Sequence, residues 1–141
     1  MATEAKLRQL ADKGCPVYYF YSSERYLVRQ AVTAITRILT ADSDEDATVL
    51  DGAAPEIEQL IMAAGTISFF GTRRVVVLPE IDPAAYSDKD LEELSSTLSS
   101  LENAVVVLGS VFELERSKLK TGKRAQKLIA QCKALGYTEE L

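Results

Sequence analysis

Short apolar runs and helix-period stripes alternate along this chain. PVYYFY, residues 16–21, is a continuous apolar and aromatic run set between Gly14-Cys15 and Ser22-Ser23, the pattern of a strand buried on both faces. In SERYLVRQAVTAITRIL, Leu27, Ala31, Ala34, Ile35 and Ile38 recur at helical spacing, with Ser22 or Ser23 available as a cap and Glu24 in the first turn. The acidic run from Asp42 to Asp46 ends that helix. ATVLDG, residues 47–52, is a second strand, and Pro55 suits the start of a helix whose stripe is Ile57, Leu60, Ile61 and Ala64, closed by Gly65. RRVVVL, residues 73–78, is a third strand. Leu91, Leu94, Leu98 and Leu101 then share one helix face behind a capping box of Ser87 and Asp90.

AVVVLGS, residues 104–110, is a fourth strand, and a last helix over Gly122 to Leu135 turns Ala125, Leu128, Ile129, Cys132 and Leu135 inward. A short amphipathic turn or two, EAKLRQLADKG, precedes the first strand, and GYTEEL at the other end is either a fifth strand or a tail. Fully apolar strands separated by helices imply right-handed crossovers and a parallel sheet covered on both sides. The expected class is α/β, in three layers. A length of 141 residues, 47% apolar and 26% charged, suits one domain over residues 1–141. No repeat or linker divides it.

Charge and composition remove several functions. The formal net charge of -5 argues against a free-standing nucleic-acid binder, which needs a basic surface to neutralise phosphates. No stretch nears the roughly 20 apolar residues of a membrane span, and the N-terminus lacks a signal-peptide pattern, so a cytoplasmic protein with no membrane partner is expected. Histidine is absent, and Cys15 and Cys132 stand apart without metal-ligand spacing. Both are expected to be packing residues, not ligands or disulfide partners.

Open parallel sheets carry their sites at the carboxyl ends of the strands. A phosphate loop there needs glycines, then Lys and Ser or Thr; YSSERYL offers none of that pattern. A dinucleotide fingerprint fails for the same lack of glycine. A phosphate-accepting receiver needs an acidic pair after the first strand and an aspartate after the third, but the first strand ends in Tyr21-Ser22 and the third in Leu78-Pro79. Without a histidine or an activated nucleophile, acid–base and covalent catalysis have no candidate set. A binding domain is expected, with no cofactor, no metal and no catalytic residue.

Phe69 and Phe70 lie side by side in GTISFFGTRRVVVLPEID, between a helix and a strand. One such ring can plug a core. Two neighbours diverge in any regular backbone, so at least one is expected to face outward, and exposed aromatic anchors dominate interface energetics.

PVYYFYSSERYLVRQA, then VLDG, then ISFFGTRRVVVLPEID, then LENAVVVLGS and a basic helix together resemble the N-terminal domain of the delta subunit of bacterial DNA polymerase III, the clamp-loader subunit that binds and opens the sliding clamp. FFGTRRVVVL is the most specific part, and the resemblance covers nearly the whole chain. It implies an AAA+-like fold of the P-loop NTPase type that has lost ATP binding, with a five-stranded parallel sheet in the order 5-1-4-3-2. It also places the clamp-contacting pair on Phe69 and Phe70, with Ile67 and Ser68 beside them. The implied partners are the sliding clamp and, through lid and collar domains not expected within this chain, the gamma or tau and delta prime subunits, with DNA reached indirectly.

Within such an assembly, Arg73 and Arg74, and Lys123 and Arg124 of the basic cluster that also holds Lys118, Lys120 and Lys127, are candidates for partner or DNA contacts. Solvated charges are the simpler reading of both groups. The rival functions are a nucleotide-binding α/β domain with a degenerate phosphate loop and a receiver-like module, and neither accounts for the phenylalanine pair.

Overall fold

The structure is a computed structural model that describes residues 3–41, 43, 45–65 and 73–141. Its main sheet has five parallel strands: β1 (Val17–Ser22), β2 (Thr48–Val49), β3 (Arg74–Leu78), β4 (Ala104–Val111) and, after a separate two-stranded hairpin β5 (Leu114–Glu115) and β6 (Lys118–Leu119), β7 (Tyr137–Glu140). The order across the sheet is β2-β3-β4-β1-β7, the order implied by the resemblance. The helices are α1 (Glu4–Asp12), α2 (Arg25–Thr40), α3 (Ile57–Gly65), α4 (Asp88–Ser99) and α5 (Gly122–Leu135).

Strand side chains alternate between faces, and that alternation builds two cores. Val17, Tyr19, Val76, Leu78, Val106 and Leu108 face the leucines of α4 together with Leu60 of α3 and Leu128 and Cys132 of α5. Tyr18, Phe20, Val75, Val77, Val105 and Val107 face α2, with Leu7 of α1 at the edge. The result is the expected three-layer α/β arrangement. Among the described residues no helix is long and apolar enough to cross a membrane.

The tail is a strand. β7 pairs in parallel with β1, Tyr18 opposite Tyr137 and Tyr21 opposite Glu140, and the Leu141 N–H donates to the Tyr21 carbonyl at 2.8 Å. Gly136 permits this, because a Cβ there would lie 2.1 Å from the Val17 carbonyl oxygen.

Several local expectations are corrected. Ser22 belongs to β1 and is buried; its Oγ accepts the Glu24 N–H at 3.0 Å and donates to the Leu141 carbonyl at 3.0 Å. It therefore shapes the turn before α2 and does not cap the helix, whose cap residue, Glu24, makes no side-chain cap bond. Val28 and Val32 join Ala31 and Ile35 as the buried face of α2, with Leu27, Ala34 and Ile38 only partly covered. Helix α3 begins at Ile57, two residues after Pro55, whose carbonyl instead accepts the Tyr86 hydroxyl at 2.8 Å.

Ile61, expected in the buried stripe of α3, is 51% exposed, because Ile57 and Leu60 already fill the space above the sheet. The β5–β6 hairpin was not legible in the sequence. Its two-residue turn is Arg116-Ser117, both at positive φ (52° and 66°), where Asn-Gly is the usual signal.

Candidate functional site

The carboxyl end of the sheet is where a nucleotide sits in folds of this kind. Here Ser23 and Glu24 alone join β1 to α2. A phosphate cradle needs several backbone N–H groups turned toward one point. In this turn the Glu24 N–H is taken by Ser22, and the Glu24 residue brings a carboxylate to the helix start. Arg25, the first helical residue, clasps Glu80 beyond β3 with both arms, Nε to Oε1 at 2.7 Å and Nη2 to Oε2 at 3.0 Å. The cleft there, about 990 Å³, is lined by the carboxylates of Glu24, Glu80, Asp82 and Glu113 against the cations Arg25 and Lys120. Its charge balance opposes a triphosphate.

The cysteines are packing residues. Cys132 is fully buried in the core beneath α5, and burial pushes its thiol up to about 12. Half-buried Cys15 donates to the Val17 carbonyl at 3.4 Å, and burial raises its thiol too. Reactive thiols need the opposite shift.

Ile67, Ser68, Phe69 and Phe70 lie outside the described residues. The helix that leads to them is described. On α3, Ile61 is 51% and Met62 73% exposed, and a groove of about 620 Å³ runs between α3 and α4, lined by Ile61, Ala64, Gly65 and Leu101 with Ser96 and Thr97. Sequence reasoning missed Met62. The signal was present, since IEQLIMAAG has more apolar positions than one helix face can bury.

The paired arginines are half-buried and engaged within the chain. Arg74 Nη1 pairs with Glu45 Oε2 at 2.7 Å, both side chains only about one-fifth exposed (22% and 21%), and its Nη2 reaches Thr48 Oγ1 at 3.5 Å. Half-buried Arg73 donates from Nη2 to the Ala104 carbonyl at 3.3 Å. Arg124 Nε meets Asp88 Oδ1 at 3.0 Å across α5 and α4, whereas Lys123 stands exposed. The structure does not bring Arg73 and Arg74 together with Lys123 and Arg124, which lie on different elements.

This architecture is a three-layer α/β domain on a five-stranded parallel sheet, with the strand order of an AAA+-like fold. It superposes on a DNA polymerase III, gamma subunit-related protein from Thermotoga maritima with a TM-score of 0.69, covering 99% of this chain and 46% of that one at 13% identity. At that identity the likeness speaks for the fold. Residues 18–135 match the family described as DNA polymerase III, delta subunit, and the chain belongs to that family. DNA polymerase III subunit delta of Bacillus subtilis (strain 168) is 28% identical over 137 residues, which take in 88% of this chain and 39% of that protein. The chain therefore spans about two-fifths of the length of this relative.

Proposed function

We propose that this chain is the clamp-binding domain of a clamp-loader subunit, working in the cytoplasm and taking no nucleotide itself. The observation that carries the reading is the conjunction of delta-subunit membership with a sheet end where Arg25 and Glu80 form an ion pair and a two-residue turn replaces a phosphate loop. Phe69 and Phe70, flanked by Ile67 and Ser68, dock into an apolar pocket of the sliding clamp. The exposed Ile61 and Met62 on the preceding helix support an apolar contact at this corner.

Docking opens the ring by binding its opened form better than its closed form, a population shift that needs no hydrolysis in this chain. ATP acts on the gamma or tau motor subunits, which together with delta prime join this subunit through further domains. DNA is then met in the context of that assembly.

Calorimetric titration with the clamp tests the contact. Uncovering a buried Phe gives up about 1.5–3 kcal/mol, so Phe69→Ala with Phe70→Ala is expected to weaken binding by at least about 10²-fold; unchanged affinity refutes the assignment. Titration with Mg-ATP is expected to give no saturable heat, and saturable uptake would favour the rival reading as a degenerate nucleotide-binding domain.

A further inference from the structure

An ion pair stands at each end of β3. Beyond the carboxyl end, Arg25 clasps Glu80 with both side chains exposed. At the amino end, Arg74 meets Glu45 with both side chains about four-fifths covered. The covered pair is the one that borders residues 66–72, the connection that carries Phe69 and Phe70.

The strand itself does not depend on these arginines. It pairs in register with β4 from Arg74 opposite Ala104 to Leu78 opposite Leu108, and Val75, Val76, Val77 and Leu78 are buried. What the arginines fix is the point where the connection enters the sheet. Arg74 is held on two sides. Its N–H donates to the Asn103 carbonyl at 2.8 Å, while its guanidinium reaches the other way, to Glu45 ahead of β2 at 2.7 Å and to Thr48 at the start of β2 at 3.5 Å. Arg73 leaves the chain on the opposite face, as neighbours do along an extended backbone. Its Nη2 donates to the Ala104 carbonyl at 3.3 Å, beside Val75 and Val105 on the α2 side of the sheet.

A half-buried ion pair is a poor source of stability, because desolvating both charges offsets their attraction and apolar residues of similar size often serve as well. Its distinctive property is direction, since a guanidinium meets a carboxylate in a narrow range of orientations. At the start of β3 that geometry constrains the residues just before it. Phe70 precedes Arg73 by three positions and Phe69 by four, so their Cα atoms stay within about 11 Å and about 14 Å of the Arg73 Cα. The other end of the connection leaves α3, whose Ile57 and Leu60 are buried in the core.

We infer that Arg74, through its ion pair with Glu45, is a positioning residue for the clamp contact: it holds the connection so that Phe69 and Phe70 are presented before the clamp arrives, without itself touching the clamp. Arg73 is a second tie on the opposite face. The inference rests on the clamp-binding reading and adds to it the device that makes the contact ready. Without the pair the connection samples more conformations, binding must order them, and the apparent affinity falls with the fraction that is competent. Such a loss slows association. Loss of a direct contact instead speeds dissociation.

Surface plasmon resonance of the chain over immobilised sliding clamp separates the two. Arg74→Met is expected to lower the association rate about tenfold, the equivalent of freeing about one backbone residue, with the dissociation rate within about twofold. Glu45→Gln is expected to match it, and the double variant to lose no more than either, because the two side chains act as one device. Arg74→Lys, which keeps a charge for Glu45, is expected to lose less than about threefold. Phe69→Ala with Phe70→Ala is expected to raise the dissociation rate instead. Ser110→Ala, which weakens the core at the far end of β4, is expected to leave both rates unchanged, and circular dichroism verifies that every variant is folded. If the phenylalanine variant weakens binding and Arg74→Met does not, the inference is overturned and the clamp reading stands. It is also overturned if Arg74→Met acts on dissociation alone, which marks a direct contact, or if Ser110→Ala slows association as much. If the phenylalanine variant binds unchanged, the clamp reading falls and the inference falls with it.

Discussion

Adjacent residues of β1 illustrate how little a side chain's type says about its energetics. Tyr18 and Tyr19 are both fully buried, on opposite faces of the sheet. The Tyr19 hydroxyl meets Ser110 Oγ at 2.6 Å, and Ser110 in turn donates to the Ile81 carbonyl at 2.8 Å, so Tyr19 is the donor to serine. The Tyr18 hydroxyl meets no hydrogen-bonding oxygen or nitrogen among the described residues, and only the weakly bonding Cys15 thiol stands beside it. Removing a satisfied buried hydroxyl costs about 1 kcal/mol, orphaning its partner about 1–3 kcal/mol, and removing an unsatisfied one costs nothing or stabilises. Urea unfolding is therefore expected to show Tyr19→Phe destabilised by about 1 kcal/mol, Ser110→Ala by about 1–3 kcal/mol, and Tyr18→Phe unchanged or more stable. Equal losses in the two tyrosine variants would contradict this account. The apolar run identified both tyrosines as strand residues, but Ser110 lies 91 positions from Tyr19, beyond the reach of any local pattern.

Between elements, the difference lies in their ends. Ser87 caps α4, its Oγ accepting the Asp90 N–H at 3.1 Å, as the spacing of the two residues predicted. Thr121 precedes α5 in a helical conformation and makes no cap bond. Ser87→Ala is expected to cost about 1 kcal/mol and Thr121→Ala a few tenths at most, read as the shift in thermal midpoint; a Thr121 variant as damaging as the Ser87 variant would show that α5 is capped after all. The interiors of α4 and α5 were legible because their apolar residues repeat at helical spacing: Leu91, Leu94 and Leu98, and Ala125, Leu128 and Cys132, are buried as expected, whereas Leu101 falls beyond the end of α4 and Ile129 and Leu135 are half-buried. The starts of α2 and α3 were not, because Ser22 is claimed by the Leu141 carbonyl and Pro55 by Tyr86. Likewise Arg74 looked like a strand-edge charge, but the segment leading into β2 places Glu45 within 2.7 Å of it.

At the scale of the molecule, burial makes the fold sensitive to base. Cys132 and Tyr86 both titrate near 12 when folded, against ordinary values of 9.0 and 10.0; burial dominates in each, and the Asp90 charge adds to it for Tyr86. Burial pushes Tyr18 and Tyr19 up as well. Between those values the unfolded chain releases protons that the folded chain keeps, so stability is whole below about pH 9 and falls as pH rises toward 12, by up to about 1.4 kcal/mol per pH unit for each group. The urea midpoint is expected to be flat from about pH 7 to 8.5 and to drop steeply above 9, with Cys132→Ala giving a shallower drop. A midpoint constant to pH 11 would mean that these groups titrate alike in both states. Across the same molecule, family likeness supplied the strand order, which the periodicity of PVYYFY, RRVVVL and AVVVLGS could not rank on its own.

What the sequence determined by itself is what depends on neighbours along the chain: three long strands from unbroken apolar runs, the interiors of α4 and α5 from their stripes, and the lack of a phosphate loop after Tyr21. What only the tertiary structure decided depends on groups far apart in sequence. It made Tyr137–Glu140 a strand through pairing with β1, drew Arg74 to Glu45 and Arg25 to Glu80, and turned Ile61 outward once Ile57 and Leu60 had filled the core. Periodicity is a property of the backbone's own repeat, whereas partnership between side chains exists only once crossovers have carried distant segments together.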